Sequence, residues 1–269
     1  MEERILKDIY ESLAKGHKVA LVTITDIKGS TPRKKGSIMA VWEDGSIKGS
    51  IGGGNIEYAV IEKTIECIKK DTDKEFEFQL TDEGELHMQC GGDATLFVKV
   101  FKPRPKLLII GAGHIGVEIF KLARILDFYT VIFDDREEFA NEKHFEGADE
   151  IIVGDIGEKV SQYPIDKSTY IIIVTRGHKC DADALKVTAQ SNASYIGMIG
   201  SRKKTEFVMK NLLSEGIARE SLERVYAPIG INISSEEPNE IAFGIMCEIL
   251  LVKNNGSLQN LKDVKKINF

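Results

Sequence analysis

The stretch Gly29-Ser-Thr-Pro-Arg33, with Lys34 and Lys35 behind it, and the run Gly52-Gly53-Gly54 with Glu57 after it, hold the first group of potential ligand contacts. Consecutive glycines entering a helix free backbone N–H groups to form an anion-binding nest. Arg33 and the two lysines add charge-assisted donors for a phosphate if they lie beside that nest. The competing reading is a flexible loop and a solvated basic turn. A second group is His87-Met-Gln-Cys90-Gly-Gly-Asp93, in a polar loop that leads into a strand. A cysteine beside glycines is expected to be accessible, and a stabilised thiolate is a soft ligand or a nucleophile. His87 and Cys90 fall two ligands short of a tetrahedral metal site, so an incidental thiol is the alternative.

The third group is the run Leu107-Leu-Ile-Ile-Gly111-Ala-Gly113-His114-Ile-Gly116. Gly111 allows a tight turn, Gly113 lets the backbone approach a pyrophosphate, and Gly116 lets the helix pack on its strand. A further apolar run, Tyr129–Phe133, ends in Asp134-Asp135, roughly the 20 residues downstream expected of a ribose-binding acid. Later loops carry Thr175-Arg-Gly-His178-Lys-Cys-Asp181 and Gly197-Met-Ile-Gly-Ser-Arg202-Lys. His178 suits proton transfer at neutral pH; the spacing equally suits an Asp181 N-cap with a helix after it. Arg202 either holds a ligand phosphate or is a solvated surface arginine.

These groups need scaffolds to hold them. The chain has 269 residues, 42% hydrophobic and 29% charged, enough for two domains with real cores. A net charge of −6 with no obvious basic face argues against a nucleic-acid or anionic-membrane partner. The Met-Glu-Glu-Arg start has no apolar h-region, no run approaches spanning length, and the four cysteines form no CxxC pair. The expectation is a cytoplasmic, reduced, soluble protein. Cys67 and Cys247 fall in predicted helices as packing residues.

Lys102-Pro-Arg-Pro-Lys106 reads as a linker between two different patterns. Residues 1–101 read as a small α+β domain: a helix over 2–15, a strand over 19–25, and a hairpin of 38–42 and 47–51 around Asp44-Gly45. A helix over 55–70 and strands over 76–80 and 94–101 complete it. Residues 107–269 read as a Rossmann-like α/β domain, a doubly wound parallel sheet. Its strands are placed at 107–111, 130–134, 150–154, 169–175 and 194–199. Helices follow at 114–126, after Asp181, at 203–215 and at 237–252, with a short segment at 225–229. The tail from Asn254 is polar.

Taken together and in order, these stretches resemble the XdhC/CoxI family, the xanthine dehydrogenase accessory factors. The matching pieces are Gly29-Ser-Thr-Pro-Arg33, Gly52-Gly-Gly54 with Glu57, Cys90-Gly-Gly92, Gly111-Ala-Gly-His-Ile-Gly116 and Asp134-Asp-Arg136. His178-x-x-Asp181, Gly197-x-Ile-Gly-Ser-Arg202-Lys, and Ala227-Pro-Ile-Gly230 leading to Pro238-x-Glu-Ile-Ala242 continue the match. The resemblance implies binding of the molybdenum cofactor, exchange of a terminal oxo ligand for sulfur by a cysteine desulfurase, and delivery to a xanthine dehydrogenase-type hydroxylase. It implies an accessory factor more than an independent enzyme, with Cys90 as the key side chain and a possible molybdenum contact. Arg33, Gly52, Gly53, Gly54 and Glu57 would position the cofactor; Gly111, Gly113, His114, Gly116, Asp134 and Arg202 would serve a nucleotide, either NAD(P) or the cofactor's own tail. A homo-oligomer such as a dimer is expected. Asn55 departs from relatives that carry a cysteine or an apolar residue there. Two other readings compete: an NAD(P)-dependent oxidoreductase with its hydride acceptor near His178, and a nucleotide sensor that oligomerises without chemistry.

Overall fold

The computed structural model describes residues 2–80, 92–233 and 236–265, the side chain of His178 excepted. The chain divides into two compact units, Met1–Arg104 and Pro105–Phe269.

The first unit runs α1 (Glu2–Ala14), β1 (Val19–Lys28), β2 (Ile38–Trp42), β3 (Ile47–Gly49), α2 (Asn55–Lys70), β4 (Lys74–Leu80) and β5 (Gly92–Phe101). The strands form one antiparallel sheet in the order β3-β2-β1-β5-β4. Alternation along β1 and β2 sorts their side chains between two helices. Ala20, Val22, Ile24, Met39 and Val41 pack with Ile56, Val60 and Ile68 of α2. Val19, Ala40 and Trp42 pack with Ile5 and Ile9 of α1. Covered on both faces, these strands read as unbroken apolar runs. The β2–β3 turn closes on Asp44, whose Oδ1 accepts from the Ser46 N–H at 2.9 Å and from its hydroxyl at 2.6 Å. β1 continues three residues past its expected end at Thr25, through an irregularity in its pairing with β5 between Ile24 and Asp26. A bulge breaks the period-two pattern, which is why periodicity ends the strand early.

The second unit runs β6 (Lys106–Ile110), α3 (His114–Ile125), β7 (Tyr129–Asp134), β8 (Glu150–Val153), α4 (Ile156–Ser161), β9 (Thr169–Ile173), α5 (His178–Thr188) and β10 (Tyr195–Met198). After these come α6 (Arg202–Ser214), α7 (Arg219–Glu223), α8 (Pro238–Asn254) and α9 (Leu261–Val264). The sheet is parallel, in the order β8-β7-β6-β9-β10. Tyr226 bridges to Gly197 in parallel and extends the sheet beyond β10. This is the strand order of a doubly wound dinucleotide-binding fold, and its topological switch point lies between β6 and β9. Ile119 and Phe120 of α3 and Ile245 and Ile249 of α8 cover one face with Leu107 and Ile109. Val160 of α4, Leu185 of α5 and Val208 and Leu212 of α6 cover the other with Leu108, Ile110, Ile171 and Ile173. No described helix is long and apolar enough to cross a membrane.

One expectation is corrected here. The helix after β9 begins at His178, not after Asp181, with Gly177 as its N-cap. Asp181 therefore sits inside the first turn, where its side chain is fully buried. The short helices α4 and α7 left no periodic signal, since each offers barely one turn of pattern.

Candidate functional site

In the first unit the glycine run forms an open turn at the head of α2. Gly53 and Gly54 have φ of 74° and 67°, and no atom of a described residue stands within 4 Å of where a Cβ would be on either. Their left-handed backbone favours glycine. Gly54 is the N-cap, and no side chain caps the helix; the amides of Gly53 and Gly54 donate to no described residue. The positive end of the helix dipole therefore carries no side-chain cap from a described residue. Glu57 reaches back, its Oε1 accepting from the Ile51 N–H at 3.1 Å, and so pins the entry to the turn.

The Gly29–Arg33 loop lies against this turn. A Cβ on Gly52 would stand 3.2 Å from Pro32 Cβ. The same loop meets the start of β5, since a Cβ on Gly92 would stand 2.4 Å from the Ser30 carbonyl oxygen and 2.5 Å from that of Lys28. Arg33 and Lys34 are exposed and form no ion pair with a described residue, whereas Lys35 faces Asp26 at 3.5 Å. The turn, the basic loop and the start of β5 therefore share one end of the sheet. His87 and Cys90 lie outside the described residues. Cys67 is buried and Cys247 half-buried, both as free thiols.

In the second unit the glycines match the fold's close approaches. A Cβ on Gly111 would meet the Val174 carbonyl oxygen at 2.4 Å, and one on Gly116 would meet the Gly111 oxygen at 2.1 Å. Gly113 is the N-cap of α3; no described residue stands within 4 Å of where its Cβ would be, and none caps the helix with a side chain. His114 is exposed in the first turn of α3.

Asp134 is 2% exposed at the end of β7. Its Oδ2 accepts from the Ala112 N–H at 2.7 Å and from Arg136 Nη2 at 3.0 Å. Its Oδ1 accepts from Arg136 Nε at 2.8 Å and from the Arg136 amide at 3.1 Å. Burial pushes this carboxyl's pKa up, but the Arg136 and Ala112 bonds outweigh it and hold it below the ordinary range. Arg136 in turn lies 4.1 Å from the centre of the Phe139 ring. Asp134 thus latches the middle of the glycine loop to β7.

Beyond β9, the Thr175 hydroxyl donates to Asp181 Oδ1 at 2.6 Å, and the Lys204 ammonium pairs with Oδ2. This network ties the β9 end to the first turns of α5 and α6. Sequence reasoning missed it; the signal available was the lysine pair after Arg202. Arg202 itself is 88% exposed and pairs with Glu206 at 2.9 Å, so it stands apart from the network. Cys180 is half-buried beside the crevice, its thiol pKa raised by burial and by Asp135, Asp183, Asp181 and Asp134. Among the described residues no cluster of three His, Cys, Asp or Glu side chains could hold a metal ion.

Comparison with known proteins agrees with both units. Residues 107–249, more than half of the chain, match the XdhC Rossmann domain, and residues 12–79 match the XdhC and CoxI family. An Escherichia coli protein named only as uncharacterized YqeB is 34% identical over 88% of this chain and 44% of its own length. A Bacillus subtilis protein named as a probable subunit of xanthine dehydrogenase is 27% identical over 61% of this chain and 48% of its own. The chain thus spans about half the length of these two relatives. The Escherichia coli molybdenum cofactor insertion chaperone PaoD is 23% identical, over 93% of this chain and 88% of its own. A Bacillus halodurans crystal structure described as a xanthine dehydrogenase shares the fold, with a TM-score of 0.54 at 20% identity over 93% of this chain and 96% of that one. The chain belongs to the XdhC/CoxI family.

Proposed function

We propose that this protein is an accessory factor of molybdenum hydroxylase maturation. It binds the molybdenum cofactor as cargo, holds it while a cysteine desulfurase replaces a terminal oxo ligand with sulfur, and passes it to a xanthine dehydrogenase-type enzyme. The observation that carries the reading is the open glycine turn at the head of α2. The amides of Gly53 and Gly54, and the side chains of Arg33 and Lys34 on the loop against them, are committed to no partner among the described residues, while the Gly52 amide donates to the Ser50 hydroxyl at 3.3 Å. A phosphate on the cofactor's pterin side chain fits such a place, since backbone donors and the helix dipole both favour an anion. Glu57 belongs to the scaffold of that turn. Cys90, two residues before Gly92 in the chain, is the thiol assigned to the metal, because a thiolate is a soft ligand. The related insertion chaperone supports the cargo, and the relative named for xanthine dehydrogenase supports the client. The Rossmann crevice is assigned to a nucleotide, by the head of α3 at Gly113, which no described side chain caps or crowds.

The test is cofactor loading of wild type, Gly54→Ala and Cys90→Ala. Each protein is mixed with molybdenum cofactor, desalted, and assayed for bound molybdenum and oxidised-pterin fluorescence. An alanine held at φ 67° and ψ −150°, a region essentially reserved for glycine, costs about 1–3 kcal/mol of strain, so Gly54→Ala should stay folded while its turn is distorted. Wild type should retain molybdenum and pterin and both variants should lose them. No retention by wild type, with NAD(H) binding intact, would favour the oxidoreductase or sensor reading.

A further inference from the structure

We infer that the C-terminal unit recognises a nucleotide ribose through Asp135, with Asp134 as the positioning residue of the glycine loop. The inference rests on the reading of this crevice as a nucleotide site. In a doubly wound sheet of this order the acid at the end of the second strand accepts hydrogen bonds from the ribose hydroxyls. Asp134 stands at that place in β7 but has no acceptor capacity to spare. A carboxylate offers about four lone-pair sites, and the Ala112 amide with three Arg136 donors already fills them. Its 2% exposure closes it to a ligand as well.

Asp135 differs in exposure and in acceptor capacity. Its side chain is 52% exposed, it accepts no hydrogen bond from a described residue, and its ion contact is Arg136 Nε at 3.6 Å. Both aspartates line a cavity of about 110 Å³ with Arg136, Ile156, Thr175, Arg176 and Cys180, but of the two only Asp135 has exposed, unspent oxygens there. These residues come from the loop after β7, the start of α4, the loop after β9 and the first turn of α5, so the cavity borders the carboxyl edge of the sheet beside its switch point. One residue past the strand, the chain turns, and the carboxylate swings from the buried latch to the exposed part of the cavity wall.

Charge selects the ligand class. Asp134 and Asp135 balance Arg136 and Arg176 on the cavity wall, so no net positive charge awaits a further phosphate. A 2′-hydroxyl can donate to Asp135, whereas a 2′-phosphate would meet its like charge. The ligand is therefore a nucleotide with an unmodified ribose.

The test is equilibrium binding of ADP and 2′-deoxy-ADP to the full-length wild type and to Asp135→Ala, whose exposed position makes it tolerant of the change. One hydrogen bond to a carboxylate gives wild type about a tenfold preference for ADP. In Asp135→Ala the ratio falls to about one while ADP still binds through its diphosphate. A preference that survives in Asp135→Ala, or ADP binding to wild type with no preference, overturns the assignment alone. Absence of ADP binding to wild type overturns the nucleotide reading together with it.

Discussion

Replacing Asp134 with alanine removes four hydrogen bonds from the carboxyl edge of the parallel sheet. The amide of Ala112, a residue 2% exposed, loses its acceptor, and Arg136, whose side chain is 20% exposed, loses its hydrogen-bonded carboxylate and keeps Asp135 at 3.6 Å. Breaking a buried ion pair from one side costs about 3–5 kcal/mol. Arg136 keeps some access to water, so the lower end, about 3 kcal/mol, is expected. At about 2–4 °C per kcal/mol for a domain of this size, Tm of the C-terminal unit should fall by about 6–12 °C. Scanning calorimetry of the full chain at several pH values is the assay. Because the folded-state pKa of Asp134 is depressed, its contribution is present above the unfolded value of about 3.9 and is lost as pH falls through the folded one. The gap between wild type and variant should therefore be flat from about pH 5 to 8 and shrink only below about pH 4. A fall of less than about 2 °C at neutral pH, or a gap that closes between about pH 5 and 8, would refute the latch.

Lys204→Met leaves the buried Asp181 carboxylate with Thr175 alone; urea unfolding should show a loss of about 3 kcal/mol, and a loss under about 1 would mean the ammonium does not neutralise it. Tyr195 donates to Glu248 Oε2 at 2.6 Å, the atom that also accepts from the Gly230 amide, so Tyr195→Phe should cost about 1.5–3 kcal/mol in the same assay. Burial and the Glu248 bond push the Tyr195 phenol up, and burial with the Glu150 bond does the same for Tyr163. A raised phenol stabilises the fold below the unfolded value of about 10 and loses that effect as pH rises; absorbance titration of the folded chain to about pH 11 should leave both protonated, and ionisation of all seven tyrosines near pH 10 would contradict this. Cys180, raised by burial and neighbouring carboxylates, should react with iodoacetamide at about pH 8 several-fold more slowly than a free thiol in peptide mapping, and an equal rate would contradict its environment.

The sequence alone determined the alternation of strands and helices after residue 106, the hairpin and further strands before it, and the glycines at both turns. Those features are written in local period and residue type. Leu107–Ile110 is apolar because both faces of β6 are covered, and Gly111 and Gly116 are glycine because carbonyl oxygens stand within 2.4 Å of any Cβ there. The start of α5 escaped local reading because Asp181 looks like a cap until its burial is known.

What only the tertiary structure decided is which partner each polar side chain finds. Asp134 and Asp135 are chemically identical neighbours on one cavity wall, yet one is buried and saturated by Ala112 and Arg136 while the other stays exposed with its oxygens unspent. Glu57 is spent on the Ile51 amide, and Lys204 on an aspartate from another helix. Hydrogen-bond capacity is consumed by whatever lies within about 3 Å in space, and that distance is set by how strands and helices pack, not by their order along the chain.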